Sequence, residues 1–198
     1  MICRPYRWIV AILWQICALL LVPAIAHSAP THITAELVAG PAVTPGGQTQ
    51  IAVPMRAETG WHGYWSNPGD AGLGMQLDWS LPDGAKVGEP RYPVPQTLLI
   101  SGLMNHIYES DYAVLIPFTA PANARAGSQL PISVKAQWLA CTDEICVPES
   151  AELNTTITVA EKTGPSLAAF EAWEQRLPAP LGTVATFEFA GDTVRFAI

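Results

Sequence analysis

Short runs that alternate apolar and polar residues recur along most of this chain, and they constrain its fold more than any other feature. Residues 50–53 (Gln-Ile-Ala-Val) and 132–135 (Ile-Ser-Val-Lys) show the alternation, which is typical of strands buried on one face. Stretches rich in Pro and Gly, such as "GPAVTPGG" and "LPDGAKVGEP", separate the runs at intervals typical of an antiparallel sandwich. We therefore predict an all-β, immunoglobulin-like antiparallel sandwich over residues 27–160.

The first segment has a different pattern and is predicted to be a signal peptide. A basic opening, "MICRPYR", precedes an apolar run from Trp8 to Val22, and Ala24 and Ala26 then supply small residues for cleavage. The run is shorter than the roughly 20 residues that a membrane-spanning helix needs. We assign residues 1–26 to the signal peptide and keep an uncleaved anchor as the alternative.

Removal of this segment changes both the cysteine content and the charge. Cys3 and Cys17 leave with it, so that Cys141 and Cys146 remain, and the loss of Arg4 and Arg7 changes the formal net charge from −7 to −9. An acidic exported chain is a poor match for nucleic acid, because phosphate binding needs clustered Lys and Arg. Export also places the two cysteines where disulfides form and persist.

The pattern changes again near the C-terminus. In "PSLAAFEAWEQRLP" the apolar positions fall three or four residues apart, at Leu167, Phe170, Trp173 and Leu177. This spacing predicts an amphipathic helix, within a linker over residues 161–180. Residues 181–198 then predict a hairpin around Gly191-Asp192, which we interpret as the truncated beginning of a second β domain because a lone hairpin is marginal in water.

The two remaining cysteines are separated by four residues, 142–145 (Thr-Asp-Glu-Ile). If the flanking runs form a hairpin, this is a common loop length, and Cys141 and Cys146 lie opposite each other within bonding distance. A disulfide that closes so short a loop stabilises a domain weakly, by about 2 kcal/mol. Spacing alone leaves a structural staple and a reactive dithiol both open.

Metal binding is a further possibility for this pair. Zinc requires two more Cys or His ligands at suitable spacing, and the histidines are scattered, at His27, His32, His62 and His106. Copper accepts soft ligands such as thiolates, Met75, Met104 and His106, although no Met-rich run or His pair accompanies them. We predict no metal site.

Charges near the pair favour one redox direction. Asp143, Glu144 and Glu149 lie in or beside the loop, whereas the nearest basic residue in sequence is Lys135. Negative charge disfavours a thiolate, and a dithiol that is not stabilised as thiolate makes its disulfide relatively stable. The pair is therefore expected to act as a reductant or a neutral relay.

The segment "TGWHGYWSNPGDAGLGMQLDW" concentrates aromatic residues next to a turn-forming sequence. We predict that Trp61 and Trp65 face the core, that residues 67–70 (Asn-Pro-Gly-Asp) form a simple turn, and that His62 is exposed or hydrogen-bonded. The alternative is an aromatic shelf for a sugar or a partner.

Two segments together, "GWHGYWSNPGDAGLGMQLDW" and "WLACTDEICVPE", resemble the N-terminal periplasmic domain of the thiol:disulfide interchange protein DsbD. They are more similar still to the ScsB-like, copper-tolerance branch of that family. The resemblance spans about His32 to Leu153. It implies an immunoglobulin-like domain in the periplasm that exchanges dithiol for disulfide and needs no cofactor.

The resemblance also implies roles for individual residues. Cys146 would form the mixed disulfide with a partner and Cys141 would resolve it. The family shields its disulfide with an aromatic cap loop, and the matching stretch here is His106, Ile107 and Tyr108. This chain departs from the family pattern in having four rather than five residues between the cysteines and an isoleucine where the cap has an aromatic residue.

We predict a periplasmic thiol:disulfide reductase that relays electrons from a membrane electron donor to periplasmic disulfide-bearing proteins of thioredoxin fold. This sequence contains neither a membrane domain nor a thioredoxin-like domain. We therefore expect such domains, in the same or a longer polypeptide, to supply the electrons. The alternatives are a non-enzymatic immunoglobulin-like interaction module with a structural hairpin disulfide, and a copper-binding tolerance module.

Overall fold

A computed structural model describes residues 31–179, 182 and 184–197. The predicted signal peptide, residues 1–26, lies outside the described residues. No helix within the described residues is long and apolar enough to cross a membrane.

The described chain is built from thirteen strands and one short helix. In chain order they are β1 (Ile33–Ala35), β2 (Val38–Ala39), β3 (Gln48–Ala57), β4 (Gly63–Gly69), β5 (Gln76–Ser80), β6 (Lys86–Val87), β7 (Gln96–Ile100), β8 (Leu103–Tyr108), β9 (Tyr112–Thr119), β10 (Gln129–Cys141), β11 (Cys146–Thr158), α1 (Ala168–Glu174), β12 (Thr186–Ala190) and β13 (Thr193–Ala197).

Two antiparallel sheets form the sandwich. One has the order β1-β3-β9-β6, with β2 also paired to β3, and the other has the order β11-β10-β5. Apolar side chains that alternate along β3, β9 and β10 fill the space between the sheets, including Val53, Val114 and Val134, as expected for two inner faces that interdigitate. The predicted immunoglobulin-like sandwich is confirmed.

Strand β9 is buried on both faces, because helix α1 covers the outer side of its sheet. Phe170 of α1 is 4% exposed and packs with Ala52 of β3 and Leu115 of β9. The helix is shorter than the predicted linker over residues 161–180, and it lies against the sandwich. Its amphipathic spacing was correctly predicted, since Trp173 and Leu177 pack against the same cluster.

Strands β10 and β11 form a long hairpin whose thirteen residue pairs run from Gln129↔Thr158 to Cys141↔Cys146. In β10 the even-numbered residues face the core, so Trp138 and Ala140 point inward. Directly opposed residues share a face of the sheet. Cys141 and Cys146 therefore lie on the outer face, away from the main core.

A smaller antiparallel sheet, in the order β4-β8-β7, packs over part of this outer face. Tyr64 from β4 and Ile107 from β8 form a buried cluster with Cys141. Leu98 of β7 and Leu139 of β10 pack against the cluster. We call Tyr64, Ile107, Leu98 and Leu139 the cover.

The C-terminal hairpin joins β12 to β13 through a two-residue turn at Gly191-Asp192, with Ala190 opposite Thr193. This is the predicted hairpin. All of its described side chains are exposed, including Phe187, which is 63% exposed. The assignment of residues 181–198 to a second β domain stays a prediction.

Candidate functional site: a disulfide with one buried and one exposed sulfur

Cys141 and Cys146 form a disulfide at the tip of the β10–β11 hairpin, with their Cα atoms 4.1 Å apart. They are directly opposed, as the spacing predicts. The four-residue loop is held by its own hydrogen bonds: the amide of Thr142 donates to the carbonyl of Ile145 at 2.8 Å, and the amides of Glu144 and Ile145 donate to the Thr142 hydroxyl at 3.2 Å. The loop therefore fixes the register that brings the two sulfurs together.

The two cysteines differ in their access to solvent. Cys141 is fully buried, at 0% exposure, because the cover packs against it. Cys146 is exposed, since β11 is the terminal strand of its sheet and the cover does not reach it. Thiol–disulfide exchange depends on which sulfur an incoming thiolate can reach. In this disulfide the accessible sulfur is that of Cys146.

A second strand segment flanks Cys141 on the side away from Cys146. The amide of His62 donates to the carbonyl of Cys141 at 2.8 Å, and the amide of Cys141 donates to the carbonyl of His62 at 3.0 Å. Cys141 therefore lies in the middle of a three-stranded arrangement, between Cys146 and His62. The chain enters β4 directly after His62, and Tyr64, two residues on, belongs to the cover.

The side chain of His62 is buried, at 3% exposure, and its Nε2 has no hydrogen-bond partner. The prediction of an exposed or hydrogen-bonded histidine is wrong, because the side chain is buried without a partner for Nε2, and its ring makes an edge contact with the ring of Tyr64 at 5.4 Å. Burial lowers the pKa of His62 below its usual value, and the negative charges of Asp143 and Glu109 oppose part of that lowering.

The three residues predicted as a cap, His106, Ile107 and Tyr108, lie on strand β8 rather than in a loop. Ile107 is opposite Tyr64 and packs with it and with Cys141. His106 and Tyr108 point to the other face of the small sheet, because side chains alternate along a strand. Of the three, the structure brings Ile107 to the disulfide.

His106 and Tyr108 have other contacts. His106 makes an edge contact with Trp65 at 5.6 Å, and its Nδ1 lies 3.0 Å from the carbonyl oxygen of Asn67. Tyr108 is buried in the main core, where it stacks on Tyr112 at 4.0 Å and donates its hydroxyl to the carbonyl of Pro93 at 2.7 Å. An aromatic residue facing the disulfide is supplied instead by Tyr64, which the cap prediction did not include.

The Gly-rich segment after Trp65 positions this tyrosine. Strand β4 continues to Gly69, so the predicted turn at residues 67–70 is wrong and the chain turns after it. Asp70 then exchanges hydrogen bonds with Met104 of β8, its carboxylate accepting from the amide at 2.8 Å. Gly72 has a φ of +95°, and a Cβ there would lie 2.1 Å from the ring of Tyr64. Only glycine lets the loop approach the ring so closely.

The acidic residues around the cysteines are divided between two environments. Asp143 and Glu144 are exposed in the loop, whereas Glu149 is buried on the inner face of β11. Its carboxylate accepts hydrogen bonds from the amides of His32 and Ile33, at 2.5 and 3.1 Å, and from the Trp138 indole at 2.9 Å. Glu149 therefore joins β11 to the start of the domain, on the side away from the sulfurs.

Trp61 and Trp65 are half-buried at the margin of the main core, against which they pack as predicted. The ring of Trp61 also stacks on His32 at 3.5 Å. Within the part of the chain that the structure describes, no group of three or more His, Cys, Asp or Glu side chains is placed to hold a metal ion.

Comparisons with solved structures give the same fold. The N-terminal periplasmic domain of ScsB from Proteus mirabilis is similar, with a TM-score of 0.59 at 16% identity over 86% of this chain. This chain spans 65% of the length of that domain.

Two structures from Neisseria meningitidis match less well. The reduced DsbD N-terminal domain has a TM-score of 0.35 at 13% identity, over 65% of this chain and 90% of its own. The complex between the DsbD and PilB N-terminal domains has a TM-score of 0.34 at 17% identity, over 60% of this chain and 80% of the matched chain.

Among proteins with curated functions, no sequence matches this chain. The family described as "Thiol:disulfide interchange protein DsbD, N-terminal" matches residues 31–158, which include both strands of the cysteine hairpin and the whole cover. The chain therefore belongs to the family of DsbD N-terminal domains.

Proposed function

We propose that this chain is a periplasmic thiol:disulfide reductase domain that relays electrons through Cys141 and Cys146. Its family is a thiol:disulfide interchange family, and a similar domain, that of ScsB, is periplasmic. The observation that carries the proposal is the contrast between the exposed sulfur of Cys146 and the buried sulfur of Cys141. A staple needs no such contrast, whereas a relay needs one sulfur that partners can reach and one that they cannot.

The exchange has two steps. In the reduced domain the thiolate of Cys146 attacks a partner disulfide, which forms a mixed disulfide and releases one partner thiol. The sulfur of Cys141 then attacks that of Cys146, which releases the second partner thiol and closes the Cys141–Cys146 bond. The partner gains two electrons and two protons, and the domain loses the same number. The opposed positions of the two residues permit the second step without a backbone rearrangement.

The charges near Cys146 support one direction of electron flow. Asp143 and Glu144 lie in the loop that ends at Cys146, and negative charge raises the cost of forming a thiolate there. The reduced form is therefore not held as a stabilised thiolate, unlike that of a strong oxidant. We propose that the pair delivers electrons to periplasmic partners and is re-reduced by a membrane electron donor.

We propose thioredoxin-fold disulfide proteins as the partners, and the membrane domain and thioredoxin-like domain of the same or a longer polypeptide as the donors. A DsbD N-terminal domain has been solved in complex with the N-terminal domain of PilB. For this chain the docking surface would surround Cys146, where Ile145 is 56% exposed and an apolar side chain is thus available to a partner.

We propose that the cover shields the disulfide in this chain, as the aromatic cap loop does in the family that it resembles. Ile107 and Tyr64 shield Cys141, while Cys146 remains open on the edge strand. We propose that the cover keeps small thiols and oxidants from Cys141 and leaves Cys146 to protein partners.

The test is the equilibrium reduction potential of the pair in the purified protein, measured by alkylation and mass analysis across a series of thiol buffers. A potential above about −300 mV is expected, because structural disulfides of exported proteins lie below that value. A potential well below it would make the disulfide a staple and would support the non-enzymatic interaction module instead.

A further inference from the structure

We propose that His62 is the general base that takes the proton from Cys141 when the reduced pair resolves a mixed disulfide. The inference rests on the proposed function and adds a residue to its second step. Three observations lead to it: the placement of His62 against Cys141, the burial of both side chains, and a cleft that connects His62 to solvent.

Backbone hydrogen bonds place His62 next to Cys141. His62 and Cys141 exchange both of their main-chain hydrogen bonds, at 2.8 and 3.0 Å, so they form a directly opposed antiparallel pair. Opposed residues project their side chains to the same face, with Cβ atoms about 4.5 to 5.5 Å apart. From that separation, rotation of the two side chains is sufficient to bring a ring nitrogen of His62 to the sulfur of Cys141.

Burial creates the need for a base. Cys141 is 0% exposed, and a thiol in apolar surroundings has a raised pKa and a small thiolate fraction. Solvent hydroxide has no direct access to it. A proton acceptor inside the site removes this obstacle, because the proton leaves the thiol as the sulfur attacks.

His62 has the properties of such an acceptor. His62 is 3% exposed, and its Nε2 is a buried nitrogen without a hydrogen-bond partner. Burial lowers its pKa, so the ring is neutral at neutral pH and can accept a proton. Tyr64, the other titratable side chain of the cluster, has a pKa that burial raises, so it does not act as a base there.

The proton then has a route to solvent. His62 lines a cleft together with Trp61, Glu109, Thr142, Asp143 and Glu144. The charged side chains that line it, among the described residues, are all carboxylates, and those of Asp143 and Glu109 favour the protonated ring. They stabilise the imidazolium transiently and can pass its proton to water.

Cys141 gives its proton to His62 while its sulfur bonds to that of Cys146. The bond between Cys146 and the partner sulfur breaks, and the partner leaves as a thiolate that is protonated from solvent. His62 returns to the neutral form through the cleft. In the reverse direction, protonated His62 gives a proton to Cys141 when that sulfur leaves the disulfide.

The experiment uses a symmetrical nitrobenzoate disulfide, in excess, with the reduced protein. The first coloured thiolate reports attack by Cys146, and the second reports resolution by Cys141. In His62→Gln we expect the second phase to slow about 100-fold at pH 7, within the range for a general base, with the first phase unchanged. The rate of the slowed phase should rise about tenfold per pH unit, because the Cys141 thiol must then ionise before its sulfur attacks.

His32→Gln is the matched control, since His32 is a partly buried histidine elsewhere in the domain and the variant keeps the main-chain bond from residue 32 to Glu149. The rates of both phases in this variant should equal those of the wild type. Equal second phases in wild type and His62→Gln, or an equal slowing of both phases, would overturn the proposal. If His62→Gln does not fold, the wild-type profile decides. A second-phase rate that stays constant from about pH 7 to 8.5 supports His62 as the base, and a tenfold rise in that rate per pH unit contradicts it.

This assay is separate from the test of the proposed function. A reduction potential typical of a structural disulfide would contradict the proposed electron relay, and the rates of the two phases could still be measured. Conversely, a labile potential with an unaffected second phase in His62→Gln would keep the relay and reject the base.

Discussion

Strands β10 and β11 have the same length and pair residue for residue, yet they differ in burial. Strand β10 lies in the middle of its sheet, and its last residue, Cys141, is buried on the outer face as well. Strand β11 is an edge, and its first residue, Cys146, is exposed. The difference shows that the environment of a side chain in a hairpin is determined by what packs beyond the hairpin. A single bond here joins an interior sulfur to a surface one.

The largest expected effect is on the chemistry of the two sulfurs. We expect Cys141→Ser and Cys146→Ser both to lose turnover of an oxidised partner completely, but for different reasons. Cys141→Ser keeps the exposed thiol and should accumulate a mixed disulfide with the nitrobenzoate reagent, since nothing resolves it. Cys146→Ser keeps only the buried thiol and should accumulate almost none. Intact mass measured over time distinguishes them, and equal adduct formation by both variants would contradict the contrast.

The next largest effect is on the attachment of β11 to the rest of the sandwich. Glu149→Ala removes the acceptor of three hydrogen bonds. Because bonds to a charged group contribute about 1.5 to 3 kcal/mol each and buried donors would lose their partner, we expect the free energy of unfolding to fall by about 3 to 5 kcal/mol in urea titrations.

Glu152→Ala is the control for this change. Glu152 is an exposed carboxylate on the same strand, and its loss should alter stability by no more than about 0.5 kcal/mol. The reaction rate of Cys146 should be unchanged in Glu149→Ala, because Glu149 faces away from the disulfide. A large change in that rate with intact folding would mean that the two faces of β11 are coupled.

A smaller effect is expected from the cover itself. Ile107→Ala creates a cavity next to Cys141, and we expect it to lower the free energy of unfolding by about 2 to 3 kcal/mol. It should also speed alkylation of Cys141 in the reduced protein. Ile145→Ala, at an exposed position beside Cys146, should change stability by no more than about 0.5 kcal/mol and leave Cys141 labelling unchanged. Equal labelling of Cys141 in the two variants would show that Ile107 does not shield it.

The hairpin and the pairing of its cysteines were predictable from sequence, because they depend on local rules. The alternation in residues 132–135 marks the inner face of β10, and a four-residue spacing sets the two cysteines opposite each other. The sandwich follows for the same reason, since each strand carries its own pattern and its own turn signals.

The cover and His62 were not predictable in this way. Cys141 is about 80 residues from His62 in sequence, and their pairing is an isolated bridge outside the named strands. Alternation identifies faces within a strand, but it does not tell which third sheet packs on an outer face. The cap residues illustrate the limit, since neighbouring residues Ile107 and Tyr108 point to opposite faces and only one of them reaches the disulfide cluster.

The position of helix α1 has a consequence for where this domain can be divided. Phe170 closes the outer face of the strand at the centre of its sheet, Gln50 donates to Glu174 at 2.7 Å, and Arg176 donates to the carbonyl of Asp111 at 2.8 Å. A gene fragment ending after β11 would leave that apolar face open to water and prone to self-association. All the strands of the sandwich precede α1 in the chain, so the sandwich is complete only when the residues of α1 are present. The helix is thus the last segment of the sandwich along the chain and the one that covers its outer face.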